Sequence, residues 1–383
     1  MTAVVRFHFD NTVPIVVGDL LISSSRSANE LPRLPTLDLR THRIKGVATS
    51  YPEGVRQKLS IIGSNLAIGW AGKYDEAQSA LEHLYHIDRN GDMSFEYLDN
   101  HLSSLGDNAP GFVGFLFDGN GYHQFGYRYE RLDTSEVGQI GFLGTGSAHL
   151  QRVVGQVCCP SALEPFSPSA LELMPSSDPS QVTATHKAVA AALAVSGVLL
   201  TEELSRGTDD LRSYGAGYEI IYAEQSGFRK LDDVTFALWT ADIRQLKQVA
   251  VSKGPLHVCK YSYINDLLVI RSLATDPGQK PGSYRHSTDY VGPVYRSYTQ
   301  DEVDTALASP LPSFNSKWLC NYFVVGGLQR PLVLSLVNCR SSTSPKYLQF
   351  DDFGGGTQIA VHQGFMQSVA DHIHARYKLE SAS

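Results

Sequence analysis

The sequence predicts an α+β protein in which helical layers enclose antiparallel sheets, followed by a β-rich C-terminal region. Three observations predict it. The chain runs at once into a hairpin: Ala3 to Phe9 alternates and is rich in β-branched and aromatic residues. Asp10-Asn11-Thr12 supplies turn chemistry, and Val13 to Leu21 returns as a second apolar run. The elements then follow in blocks of hairpin, hairpin, helix, helix, hairpin, strand, helix and strands, an order that segregated sheets and helices satisfy. Beyond about Thr240 the text turns strand-rich, which divides the chain into residues 1–240 and a β-rich domain over 241–383.

Each element has its own signal. Ser23 to Gln57 is Ser-rich and Pro-punctuated and reads as loop, with Leu31 to Tyr51 as a surface insertion. Lys58 to Trp70 reads as two strands about a Gly63-Ser64-Asn65 turn. Tyr74 to Ile87 has helical spacing at Ala77, Ala80, Leu81 and Leu84, with acids early where a helix N-terminus favours them. A second helix spans roughly Phe95 to Leu105. Gly111 to Phe117 and Tyr122 to Tyr129 form a hairpin around Asp118-Gly119-Asn120-Gly121. Ile140 to Leu143 is a short strand ending in Gly-Thr-Gly-Ser, and Cys158 to Pro179, rich in Pro and Ser, reads as an inserted loop. His186 to Leu204 is the clearest helix, and strands follow at Tyr218 to Tyr222 and Val234 to Trp239. The C-terminal region carries four further apolar strand-like runs, a loop at Asp276 to Tyr290 and a last helix near Phe365 to Tyr377.

Composition narrows the function classes. A chain of 383 residues, 42% hydrophobic and 19% charged, can build real cores. Its net charge of -7 argues against a general nucleic-acid binder, which needs basic surface to displace counterions from phosphate. No apolar run reads as bilayer-spanning and the first residues lack a signal-peptide pattern, so the expectation is a cytoplasmic protein with no membrane partner. The five cysteines form no C-x-x-C pair, so neither a zinc site nor a disulfide framework is expected.

Six pieces of text, in order, resemble the proteasome β-subunits and their bacterial relative HslV, the N-terminal-nucleophile hydrolases. They are the Met1-Thr2 hairpin ending in Gly18-Asp19, Lys58-Leu-Ser-Ile-Ile, and Ile68-Gly69-Trp70-Ala71-Gly72 before a helix. The FVGFLFDGNGYHQFGY hairpin, the GFLGTGS strand end and Gly215-Ala216-Gly217 complete the set. The resemblance covers about residues 2–240. It implies a four-layer αββα sandwich and amide hydrolysis, of peptides or proteins, through an acyl-enzyme on Thr2 after Met1 is removed. It also implies a sequestered site, in a homo-oligomer or ring, and no cofactor. Two departures stand out. The insertion separates Asp19 from Lys58 and makes Lys45 a rival for the lysine role, though only Lys58 leads a comparable strand. The family's late Asp-x-x-Ser-Gly-Gly is matched only by Asp210-Leu-Arg-Ser213-Tyr-Gly-Ala-Gly217, with longer spacing.

The chemistry these residues offer is concrete. A free α-amine on Thr2 ionises near pH 7.7–8.0, so it can take the proton of its own hydroxyl, directly or through a water. Lys58 would lower the hydroxyl pKa electrostatically and Asp19 would hold its ammonium. Gly72 offers a backbone N–H for an oxyanion. Gly146 and Ser147 would bond near the terminus, with a helix cap as the competing role; Asp210 and Ser213 are supporting candidates. The alternative is a catalytically inactive proteasome-like module serving assembly or recognition. Asp88 to Asp99 also spaces oxygens like a calcium loop, but Met93 stands where the sharp turn wants glycine, and Ser94 is equally well an N-cap.

Overall fold

In the computed structural model the described residues are 2–24, 34–36, 51–89, 91, 93–135, 137–158, 169–173, 183–206, 214–243, 248–275, 284–326, 332–339, 347–353 and 356–380. The first hairpin is β1 (Val4–Phe9) and β2 (Val13–Asp19), with Asp10 and Asn11 at positive φ making its tight turn. A bulged pair, β3 (Leu21–Ser24) and β4 (Tyr51–Val55), leads to β5 (Leu59–Ile62) and β6 (Leu66–Ala71). Next come α1 (Tyr74–Arg89), α2 (Phe95–Ser104), β7 (Gly111–Phe117), β8 (Tyr122–Tyr127), β9 (Glu130–Thr134) and β10 (Gly138–Leu143). Then α3 (Ser147–Cys158), β11 (Ser169–Leu173), α4 (Ala184–Arg206), β12 (Tyr218–Glu224), β13 (Gly227–Lys230) and β14 (Val234–Ile243) follow. The chain continues through β15 (Val249–Val251), β16 (His257–Ile264), β17 (Leu267–Thr275), β18 (Tyr284–Val291) and α5 (Gln300–Ala308). It closes with β19 (Trp318–Gly326), β20 (Leu332–Cys339), β21 (Leu348–Phe353), β22 (Gly356–Val361) and α6 (Gln363–Glu380).

A six-stranded sheet, β13-β12-β2-β1-β10-β9, faces a four-stranded one, β5-β6-β7-β8. Alternation along each strand builds the interface. Val4 and Val16 from the first sheet meet Leu59, Ala67 and Val113 from the second, while Val5, Phe7, Ile15 and Val17 point the other way. The outer face of the four-stranded sheet, through Ile68, Trp70 and Phe112, buries the apolar stripes of α1 and α2. The other face of the six-stranded sheet receives α3 and α4.

Here the expected four-layer αββα sandwich is corrected. Strand outweighs helix, 46% against 28%, and the strands form five separate sheets accompanied by only six helices among the described residues. The largest sheet, β11-β20-β19-β14-β16-β17-β18 with β15 beside β14, is eight-stranded and packs on the far side of α4. Its Phe236, Leu238, Cys320, Tyr322 and Val337 share one core with Ala190, Leu193 and Val198 of α4 and Val5 and Ile220 of the six-stranded sheet. The reason is the helix itself. From Ala188 to Leu200 nearly every side chain is buried, so α4 has no solvent face and needs cover on both sides. Its window 184–203 is long and apolar enough to cross a bilayer, contrary to the sequence reading, but 78% of it is buried inside the protein. The opposite face of the eight-stranded sheet carries Trp239, Phe323 and Leu334 against Phe365, Val369 and Ile373 of α6 and Leu348 and Phe350 of β21.

Four local readings change too. The expected loop Ser23 to Gln57 contains strand β4 (Tyr51–Val55), paired with β3. Within the expected loop Cys158 to Pro179, residues 169–173 form edge strand β11, parallel to β20; they are the proline-free stretch between Pro168 and Pro175. Cys158 ends α3, so it is not a loop residue. The expected loop at Asp276 to Tyr290 contains β18, in register with β17 over its whole length.

Candidate active site

Thr2 continues the alternation of β1, so it shares a face with Val4 and Arg6 and points into the space between the two facing sheets, 1% exposed. Arg6 on the same face donates to Phe125 O of β8 at 3.0 Å and anchors the strand across that space. Lys58 sits immediately before β5, is also 1% exposed, and its Nζ donates to Thr2 Oγ1 at 2.7 Å. The ammonium stands 4.8 Å from the centre of the Trp70 ring. Burial pushes the Lys58 pKa down, and the Asp19 and Glu219 carboxylates oppose that shift.

Asp19, the last residue of β2, is fully buried. Its Oδ1 accepts from Ala3 N at 2.9 Å and its Oδ2 from Gly215 N at 3.1 Å. Burial raises its pKa, against the pull of Lys58 and these two amides. Asp19 N donates in turn to Ala3 O at 3.0 Å, so the residue following Thr2 is clamped on both sides of its peptide. Glu219 of β12 accepts from Lys230 Nζ at 2.7 Å; burial raises its pKa, against Lys230 and the nearby Leu59 and Lys58 backbone N–H groups, and it stands as a second carboxylate behind Lys58.

A cleft of about 800 Å³ opens over these groups, with Thr2, Lys58, Gly72, Tyr74, Arg128 and Gly144 in its wall. Gly72 follows β6 at φ +132°, where a Cβ would meet Pro110 at 3.0 Å. Gly146 N donates to Thr2 O at 3.1 Å. Ser147 opens α3, and its hydroxyl donates to Gly144 O at 2.6 Å, so its proton is spent within its own turn. Thus Thr2, Asp19, Lys58, Gly72, Gly146 and Ser147 come together; Lys45, Asp210 and Ser213 lie outside the described residues, as does Met1. In the Asp88 to Asp99 stretch, Asn90 and Asp92 also lie outside them, and the Ser94 side chain accepts from Tyr97 N as the N-cap of α2. Among the described residues no group of three His, Cys, Asp or Glu side chains assembles that could hold a metal ion.

Several site residues were not nominated by the sequence. Gly144, at φ +86°, lies so close that a Cβ there would stand 2.0 Å from Thr2 O. Its signal was the Gly-Thr-Gly at a strand end, which marks backbone that only glycine adopts freely. Glu203 of α4 accepts from Thr36 Oγ1 and from Ala216 N at 3.0 Å, in the loop that holds Asp19. Burial, with the Asp19 charge nearby, pushes its carboxyl up to about 7 despite these donors. Nothing in a helical Glu-Glu pair announces such a residue. No protein-family model matches the chain, and no curated protein matches it.

Proposed function

We propose that the chain is an N-terminal threonine hydrolase that cleaves amide bonds, those of peptides or proteins foremost, through an acyl-enzyme on Thr2. The observation that carries this reading is the Lys58 Nζ to Thr2 Oγ1 hydrogen bond, made by two buried side chains at the base of a cleft. A lysine bonded to a hydroxyl rather than to a carboxylate lowers the cost of forming the alkoxide. With Met1 removed, the freed α-amine of Thr2 takes the hydroxyl proton, and Oγ1 attacks the substrate carbonyl carbon. The Gly72 N–H receives the oxyanion. Collapse breaks the C–N bond and passes the proton from the α-ammonium to the leaving amine. Water, deprotonated by the same α-amine, then cleaves the ester and regenerates Thr2.

Protein carrying Thr2 at its N-terminus, checked by intact mass, tests the reading with peptide amides and a β-lactone. Expected is a single adduct on Thr2 and turnover that Thr2→Ala lowers by about 10³-fold or more, while Thr2→Ser keeps part of it. An unmodified Thr2, or full activity in Thr2→Ala, overturns the proposal in favour of an inactive assembly or recognition module.

A further inference from the structure

Gln57, the residue before Lys58, is fully buried, and both polar atoms of its side chain are engaged, the amide nitrogen from outside the two facing sheets and the oxygen from their edge strand β13. Its Nε2 donates to Asp266 O at 2.7 Å and to Val291 O at 2.6 Å, both in the eight-stranded sheet, at the β16–β17 turn and the end of β18. Its Oε1 accepts from Lys230 Nζ. Lys230 also donates to Leu59 O at 2.8 Å, the first residue of the strand that follows Lys58, and to Glu219 at 2.7 Å. The Asp266 turn is itself fixed. Arg296 grips its carboxylate with Nε at 2.8 Å and Nη2 at 2.7 Å, and Tyr295 and Tyr298 hydroxyls add bonds of 2.9 and 2.6 Å. Arg296 reaches on to Glu302 of the α5 capping box at 2.9 Å, and Tyr295 packs into the core under α1. Four donors on one carboxylate are far more than a hairpin turn needs for its own stability.

We propose that Gln57 is a positioning residue for Lys58, and that the Asp266–Arg296 clamp in the C-terminal region holds the Lys58 ammonium on Thr2 through it. The C-terminal region therefore sets the reactivity of a site to which, among the described residues, it contributes no cleft-lining side chain. The proposal rests on the hydrolase reading above for its kinetic arm. Its mechanical arm, the ordering of the Lys58 backbone, stands without that reading.

The test uses the full chain with Thr2 exposed, in wild-type form and as Gln57→Met, Gln57→Glu and Asp266→Asn. Gln57→Met removes the two donated bonds and the acceptor for Lys230 at nearly constant shape; it is expected to slow β-lactone acylation of Thr2 at saturating probe by about tenfold, with half-saturation unchanged, because the defect is alignment and not binding. Asp266→Asn weakens the Arg296 grip and is expected to lose about threefold. Gln57→Glu keeps the acceptor for Lys230 but turns a donor towards two carbonyls into a carboxylate, so its acylation rate should fall as pH rises through that ionisation, opposite to the wild type. Hydrogen exchange of the peptide covering residues 58–62 should be faster in Gln57→Met and Asp266→Asn. Wild-type exchange at 58–62 in both, if they fold, or in Asp266→Asn and Gln57→Glu if Gln57→Met does not, overturns the proposal. So does wild-type acylation with an unchanged pH profile. If the wild type itself gives no Thr2 adduct, the hydrolase reading fails, and the exchange arm alone decides the tether.

Discussion

Two regions of this protein each bury a lysine to 1% exposure, and the two do different work. In the eight-stranded sheet, Lys260 of β16 donates to the Asp233 carboxylate and to Ser316 Oγ at 2.8 Å. Thr235 completes the group through Ser316 and Phe314 O at 2.7 Å. Burial pushes the Lys260 pKa down and Asp233 opposes that shift, so the ion pair is a strut between β16 and the starts of β14 and β19. Between the facing sheets, Lys58 meets a hydroxyl first and has its carboxylates, Asp19 and Glu219, at one remove. The difference teaches how to read a buried ammonium. Where a carboxylate is the first partner, the charge is neutralised and the lysine holds structure; where a hydroxyl under a cleft is the first partner, the charge is directed at a reacting atom.

The pair of substitutions Lys58→Met and Lys260→Met breaks this comparison most sharply. Lys58→Met is expected to slow Thr2 acylation by about 10²-fold or more, with stability within about 1 kcal/mol of wild type, because Asp19 keeps two amide partners. Lys260→Met is expected to do the reverse, leaving acylation intact and costing about 1–2 kcal/mol in urea unfolding, a modest figure because Asp233 is half-exposed and stays solvated. Equal acylation rates in the two variants would dissolve the distinction.

Two glycines sharpen it next. A Cβ on Gly144 would collide with Thr2 O, and one on Gly197 of α4 would lie 1.8 Å from the Tyr322 ring in the eight-stranded sheet. Gly144→Ala and Gly197→Ala should each cost about 1–3 kcal/mol, by backbone strain in one case and overpacking in the other. Only Gly144→Ala should also suppress the Thr2 adduct. Loss of the adduct in folded Gly197→Ala would mean that the helix between the sheets transmits strain to the site.

The smallest effect concerns pH. The Glu203 carboxyl is held at about 7 against a usual 4.5, so the folded chain binds more protons than the unfolded one across that interval. Its contribution is complete below pH 4.5 and is lost as pH rises through 7. Glu203→Gln should therefore match or trail the wild type at pH 5 and exceed it by up to about 2 kcal/mol at pH 8. A pH-independent difference between the two would remove Glu203 as the titrating group.

What could be read beforehand divides along the same line. Thr2, Asp19, Lys58 and Gly72 are nominated by short ordered motifs, and these four lie within one site because each stands at or beside a strand end whose position the register fixes. The architecture was misread at α4. Its run of Ala, Val and Leu lacked a polar face, which already asked for a second covering layer, yet a helix on the outside of a sandwich was expected. The Thr299-Gln-Asp-Glu302 capping box of α5 is equally legible as a helix start. Gln57, Glu203 and Asp266 were illegible for another reason. Their roles depend on partners from distant parts of the chain, and no local pattern encodes such pairs.

The helix between the sheets has a consequence in time. During synthesis α4 is complete long before β19 and β20, the strands that cover it, have left the ribosome. At about 5–20 residues per second the delay is on the order of 10 s. For that interval a 20-residue apolar helix, long enough to cross a bilayer, is covered on only one side. Ribosomes stalled anywhere between α4 and β19 should therefore hold a nascent chain that recruits hydrophobic-segment chaperones, and release of the C-terminal strands should discharge them.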